Sequence, residues 1–182
     1  NLISVKHSKT GEMTTFGTEP YDGLDNYHWI PDEKDLIEKF IIWFRKSKFQ
    51  ILTGWNVHFD VNYILNRAVK LDIEECMSVL GEDYLDRKNN EWKIPALSIL
   101  DYMKIYRDVK FNQKRLESYA LQFVAQMELG KGKLDFVGSI NEIYKTDWKK
   151  FVDYNRVDVE LVWELEQKNK FIELIINTCH KS

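Results

Sequence analysis

The sequence has only two cysteines, Cys76 and Cys179, among its 182 residues. They lie far apart with no second Cys or His at ligand spacing, which argues against a disulfide framework and a structural zinc site and fits a reducing compartment. Long apolar runs are missing too. Stretches such as Ile41-Ile42-Trp43-Phe44 are far too short to span a bilayer, and the start has no basic-then-apolar signal peptide, so no membrane association is expected. With three prolines and eight glycines, no Pro/Gly/Ser-rich stretch divides the chain, and a single domain over residues 1–182 is expected. A basic excess is also absent. The formal net charge of −3 argues against a protein that coats nucleic acid through bulk positive charge. It does not exclude an enzyme that grips a few phosphates beside metal-binding carboxylates, because bound divalent ions supply positive charge locally.

What is present is the composition of a packed globular protein, 44% hydrophobic, 14% aromatic and 30% charged. Leu2–His7 and Met13–Phe16 are β-prone runs joined by Ser8-Lys9-Thr10-Gly11, a turn composition that predicts a hairpin. After a loop holding Pro20, Gly23 and Pro31, Asp32 or a neighbour can cap a helix with Leu36, Ile37, Phe40, Ile41 and Phe44 at helical spacing. Phe49–Gly54 reads as a strand closed by Gly, and Val61, Ile64, Leu65 and Ala68 as the helix after it. Residues 81–93 read as a polar surface excursion, followed by an apolar run from Ala96 to Tyr106. Arg115–Leu129 is predicted helical and stopped by Gly130. From about Asp147 to Thr178 the pattern predicts one long helix or two consecutive ones. This order gives a mixed α/β domain with helices on a central sheet, compatible with a ribonuclease-H-like sheet and not unique to it.

Asp60 ends Gly54-Trp55-Asn56-Val57-His58-Phe59-Asp60, where a strand gives way to a helix, the position at which α/β folds place ligand-binding groups. Taken alone, an Asp there is commonly a cap or dipole partner. In Tyr154-Asn155-Arg156-Val157-Asp158 the phenol and the carboxylate share one helix face, the face of Leu161 and Val162. The bland reading of Asp158 is a boundary residue paired with Arg or Lys. Two distant carboxylates are expected to converge if the chemistry is phosphodiester hydrolysis by two divalent metals, which stabilise both the attacking and the leaving oxygen. Tyr154 could then orient the attacking water.

The run Ile51–Arg67 (ILTGWNVHFDVNYILNR) resembles the second exonuclease motif of family B DNA polymerases, T4-like phage enzymes in particular. Ser98-Ile99-Leu100-Asp101-Tyr102, Lys131-Gly132-Lys133-Leu134 and Tyr154–Glu160 resemble further segments of the family, in the family's order, so the likeness covers most of the chain. The resemblance implies a 3′–5′ exonuclease domain of the Asp-Glu-Asp-Asp group with a Tyr in its third motif, a ribonuclease-H-like fold and a Mg²⁺ or Mn²⁺ cofactor. It implies Asp60 and Asp158 as metal-binding and catalytic carboxylates and Tyr154 as the residue that positions water. It implies Asn56 and Phe59 as residues lining the DNA end and Lys133 as a Lys near the scissile phosphate. The implied partners are a single-stranded 3′ end of DNA and the polymerase domain of the parent chain, and the implied location is the cytoplasm, the host's if the protein is viral.

One motif of the family has no match. Its first motif, Asp-x-Glu, lies on a strand before the hairpin, and neither Glu12 nor Glu19 fits it. The chain opens at Asn1-Leu2-Ile3-Ser4-Val5, within a strand-like run and without an initiator Met. It is therefore expected to be a truncated fragment of a polymerase, lacking the first, central strand and weak or inactive as a nuclease. Two other functions fit the same residues: a non-catalytic module that holds single-stranded DNA or braces the polymerase, and a freestanding RNA-trimming exonuclease, since nothing here reports on the 2′-hydroxyl. His58 reads as an adventitious loop residue, and Lys131-Gly132-Lys133 lacks the frame of a P-loop, leaving a solvated Lys as the ordinary reading of Lys133. Trp55, Trp92, Trp148 and Trp163 are expected in the core or at its boundary more than stacked on bases. Asp101 could approach the site, but its default reading is a strand-end residue with local hydrogen bonds.

Overall fold

The computed structural model describes residues 1–110, 116–131 and 140–179. The predicted hairpin forms from β1 (Leu2–Lys6) and β2 (Met13–Gly17), antiparallel with Ser4 opposite Thr15. β3 (Tyr27–Trp29) adds to β2 in parallel. The sequence places this strand within a loop, because three residues beside Pro31 carry too little pattern to separate strand from coil.

α1 (Glu33–Ser47) starts where the spacing predicts, with the Asp32 carboxylate accepting from Asp35 N at 3.0 Å. Leu36, Ile37, Phe40, Ile41 and Phe44 are all buried. Each such side chain stabilises the fold by about 1.5–3 kcal/mol relative to exposure. β4 (Ile51–Gly54) leads into α2 (Val57–Lys70), whose Val61, Leu65 and Ala68 close the first core against α1 and Phe16 of β2. The excursion at 81–93 contains a small hairpin, β5 (Tyr84–Asp86) with β6 (Glu91–Lys93), hung on α2 by Asn62 and Asn66: Trp92 N and Nε1 donate to their side-chain oxygens at 3.0 and 2.9 Å.

β7 (Ser98–Asp101) pairs with β4 in parallel, Leu52 opposite Ile99 and Gly54 opposite Asp101. Alternation along these strands divides the molecule. Leu52 and Ile99 pack into the first core, whereas Leu100 packs into a second one. That second core is built by α3 (Tyr102–Lys110), α4 (Leu121–Leu129), α6 (Trp148–Asn169) and α7 (Phe171–Cys179), with Tyr102, Tyr106, Val124 and Leu165 at its centre. Between α4 and α6, α5 spans Ile140–Thr146.

One expectation changes and one open alternative is decided. The helix predicted from Arg115 begins only at Leu121; within the described part, residues 116–120 are non-helical. Leu116 and Tyr119 pack on the second core from coil, where the Tyr119 carbonyl accepts from Trp55 Nε1 at 3.0 Å and Ser118 Oγ accepts from Ala120 N. Burial thus met the apolar spacing without a helix. Gly130 does stop α4, at φ 67°. The C-terminal pattern resolves as two helices, broken at Lys170, which takes the left-handed conformation at φ 54°. Among the described residues β1–β2–β3 and β4–β7 are separate sheets.

Candidate functional site

The site grows from the parallel β4–β7 pair. Both strands end at the same level, Gly54 beside Asp101, and each runs into a helix, α2 or α3. The chain after β4 turns through Asn56 at φ 62° and ψ 38°, a left-handed conformation that Asn tolerates better than other side-chain-bearing residues. Its carbonyl accepts from Phe59 N at 2.9 Å, which starts α2 and sets Asp60 in the first helical turn.

α6 brings the Tyr154–Asp158 segment. Its hairpin-facing residues are tied to β1 and β2: Lys6 Nζ donates to Glu160 Oε1 and Oε2 at 2.7 and 2.6 Å and lies 3.9 Å from the Trp163 ring centroid, and Arg156 donates to Thr15 Oγ1 at 2.8 Å. Arg156 and Glu160 bracket Asp158, so these contacts fix the part of α6 that carries it. Asp158 and Tyr154 are both half-buried.

Asp60 and Asp158 lie within electrostatic reach of each other although they come from separate elements. Asp60 is open to solvent on one side, yet its carboxyl is pushed up to about 6, first by loss of hydration against the protein and then by the like charges of Asp101 and Asp158. Among the described residues no three His, Cys, Asp or Glu side chains come together closely enough to hold a metal ion. The donor set therefore fits a hard divalent cation in kind, carboxylate oxygen, and falls short of one in number.

Asn56 and Phe59 flank the same helix start, and Phe59 is 66% exposed. Tyr63, one turn further on, is also exposed, so two aromatic rings project from one side of α2 beside Asp60. Sequence reasoning singled out Phe59 and passed over Tyr63; the signal was an aromatic pair four apart and off the apolar stripe. Lys133 lies outside the described residues. Among the described residues the His58 side chain has no hydrogen bond or ion pair, and the four tryptophans sit in or beside packed side chains, as with Trp148, which donates to Tyr27 Oη at 3.0 Å.

The family model for the exonuclease domain of family B DNA polymerases matches residues 19–124, more than half of the chain. The chain belongs to that family. The DNA-directed DNA polymerase of Enterobacteria phage T4 is 33% identical over 173 residues, 88% of this chain and 19% of the relative. That of Escherichia phage RB69 is 28% identical over 170 residues, 87% of this chain and 19% of the relative. DNA polymerase II of Escherichia coli is 23% identical over 208 residues, 96% of this chain and 25% of the relative. The exonuclease-domain chain thus spans about a fifth of the length of its phage relatives. Among its described residues no helix is long and apolar enough to cross a membrane.

Proposed function

We propose that this chain is the proofreading part of a longer DNA polymerase and hydrolyses nucleotides from a single-stranded 3′ end of DNA with Mg²⁺ or Mn²⁺. The observation that carries the reading is the convergence of Asp60 and Asp158 from α2 and α6, at the end of a parallel strand pair, in a chain of this family. Residues 1–182 act as one domain with a ribonuclease-H-like fold.

Asp60 and Asp158 are two of the carboxylates that would hold the metal, and the described residues supply only part of a two-metal site. When bound, such ions would lower the pKa of a water and stabilise the attacking and leaving oxygens. Tyr154, one turn before Asp158, orients the water, a geometric role. Asn56 and the exposed Phe59 receive the terminal nucleotides, with the ring as a stacking platform. Lys133 meets the scissile phosphate.

A second reading, a module that holds single-stranded DNA without cutting, is favoured by the exposed Phe59 and Tyr63. The experiment that separates them follows a 3′-labelled single strand with Mn²⁺, using this chain and one extended at its N-terminus. Divalent-dependent shortening that Asp60→Ala and Asp158→Ala both abolish supports the exonuclease. Binding without shortening in both chains supports the module. A matched RNA strand, if cut as well as DNA, would shift the substrate to RNA.

A further inference from the structure

Asp101 ends β7 and is 4% exposed, which is unusual for an acidic side chain. Its Oδ1 accepts three backbone N–H groups: Met103 at 3.0 Å and Lys104 at 3.4 Å, at the start of α3, and Asn56 at 3.1 Å, across the strand pair. Its Oδ2 is buried with no hydrogen-bond partner among the described residues. The first two bonds are those of an ordinary helix cap. The third is not local, because it joins the β7–α3 junction to the β4–α2 junction.

Asn56 needs that tie. It holds a left-handed backbone, and its own side chain makes no cap hydrogen bond to α2. Rotation of its peptide would swing the first turn of α2, and Asp60 lies in that turn. An isolated cap for α3 alone could sit at the surface, as Ser, Thr, Asn or Asp caps commonly do. Here the carboxylate is instead buried, and it lies within electrostatic reach of Asp60. The geometry points to what is gained: one oxygen fixes two helix starts relative to each other.

We propose that Asp101 is a positioning residue: its Oδ1 clamps the Asn56 amide and thereby sets the direction in which α2 presents Asp60. The catalytic consequence rests on the exonuclease reading; the clamp does not. Acceptor and charge can be separated by two substitutions. Asp101→Asn keeps an oxygen acceptor at the clamp, removes the charge and puts an amide donor where Oδ2 has no partner. Asp101→Glu keeps the charge and displaces the acceptor by one methylene.

The test measures amide hydrogen exchange at Asn56, with Leu52 in β4 as a control for an intact fold, together with the cleavage rate of a 3′-labelled single strand by the full-length polymerase chain. Asn56 should remain protected in Asp101→Asn and exchange faster in Asp101→Glu, by on the order of 10-fold, with Leu52 unchanged. Cleavage should follow the same order, falling on the order of 10-fold or more in kcat for Asp101→Glu with KM little altered, and recovering in Asp101→Asn. If the added methylene unfolds the chain, Asp101→Ser, whose hydroxyl falls short of Asn56, takes its place. Equal Asn56 protection in all variants, or a kcat loss in Asp101→Asn as large as in Asp101→Glu, overturns the proposal. If even the unsubstituted chain cuts nothing, the exonuclease reading fails by itself, and Asn56 exchange still decides the clamp.

Discussion

Two acidic side chains, Asp60 at the start of α2 and Glu128 near the end of α4, show opposite uses of a carboxylate. Burial works to raise Glu128, but hydrogen bonds from Tyr106 Oη at 2.7 Å, from Lys168 and from Lys110 outweigh it and hold the carboxyl at about 2. Asp60 has burial and two neighbouring carboxylates all acting in one direction and sits at about 6. One acid is surrounded by donors and locks α3, α4 and α6 together. The other is kept among its own kind, an arrangement that weakens the fold locally and leaves negative charge available to a cation.

The comparison can be sharpened first by activity. Asp60→Asn should reduce cleavage of a 3′-labelled strand by on the order of 100-fold or more, measured in the full-length chain, since even residues behind a metal ligand contribute 10–100-fold. Glu128→Gln should leave the cleavage rate of the folded enzyme almost unchanged. The order reverses for stability. Urea denaturation should show Glu128→Gln destabilised by about 2 kcal/mol, because two lysines and a phenol lose a charged partner.

The pH dependences should also have opposite signs. Glu128 is depressed from 4.5, so its stabilisation is complete above that pH and fades as pH falls toward about 2. Asp60 is raised from 3.8, so its contribution is complete below that pH and is lost as pH rises through about 6. In chelator at pH 8, Asp60→Asn should therefore be more stable than the parent by about 1 kcal/mol, the shift being discounted for solvent screening, and the gain should vanish near pH 3.5. No gain at pH 8 would show that Asp60 ionises without strain. The smallest effect is expected at Lys6→Met, which removes the contact with Glu160 and Trp163: thermal unfolding should report a loss of about 1 kcal/mol or less.

Local chemistry made much of this legible. Asp32 as a cap, the α1 stripe and Gly130 as a stop are each decided within a few residues, and each could be read in advance. The failures are tertiary. Leu116 and Tyr119 have helical spacing, but their coil is held by Trp55, sixty-four positions from Tyr119. The choice between one C-terminal helix and two stayed open for the same reason, since nothing in a Lys signals the left-handed break at Lys170. Asp60 and Asp158 could be named as a pair because their motifs were complete. Asp101 could not be separated from a simple cap, since its decisive bond goes to Asn56, whose proximity depends on the β4–β7 register.

The small β5–β6 hairpin has a practical consequence. It is an appendage whose turn at Arg87–Asn90 is exposed, and Trp92 anchors it to Asn62 and Asn66 on the helix that begins with Asp60. A fluorophore attached at Lys88 would stand clear of both cores and yet ride on α2. Its anisotropy or quenching would report movement of that helix when a DNA end or a cation arrives, turning an ornamental loop into an observation post for the carboxylates.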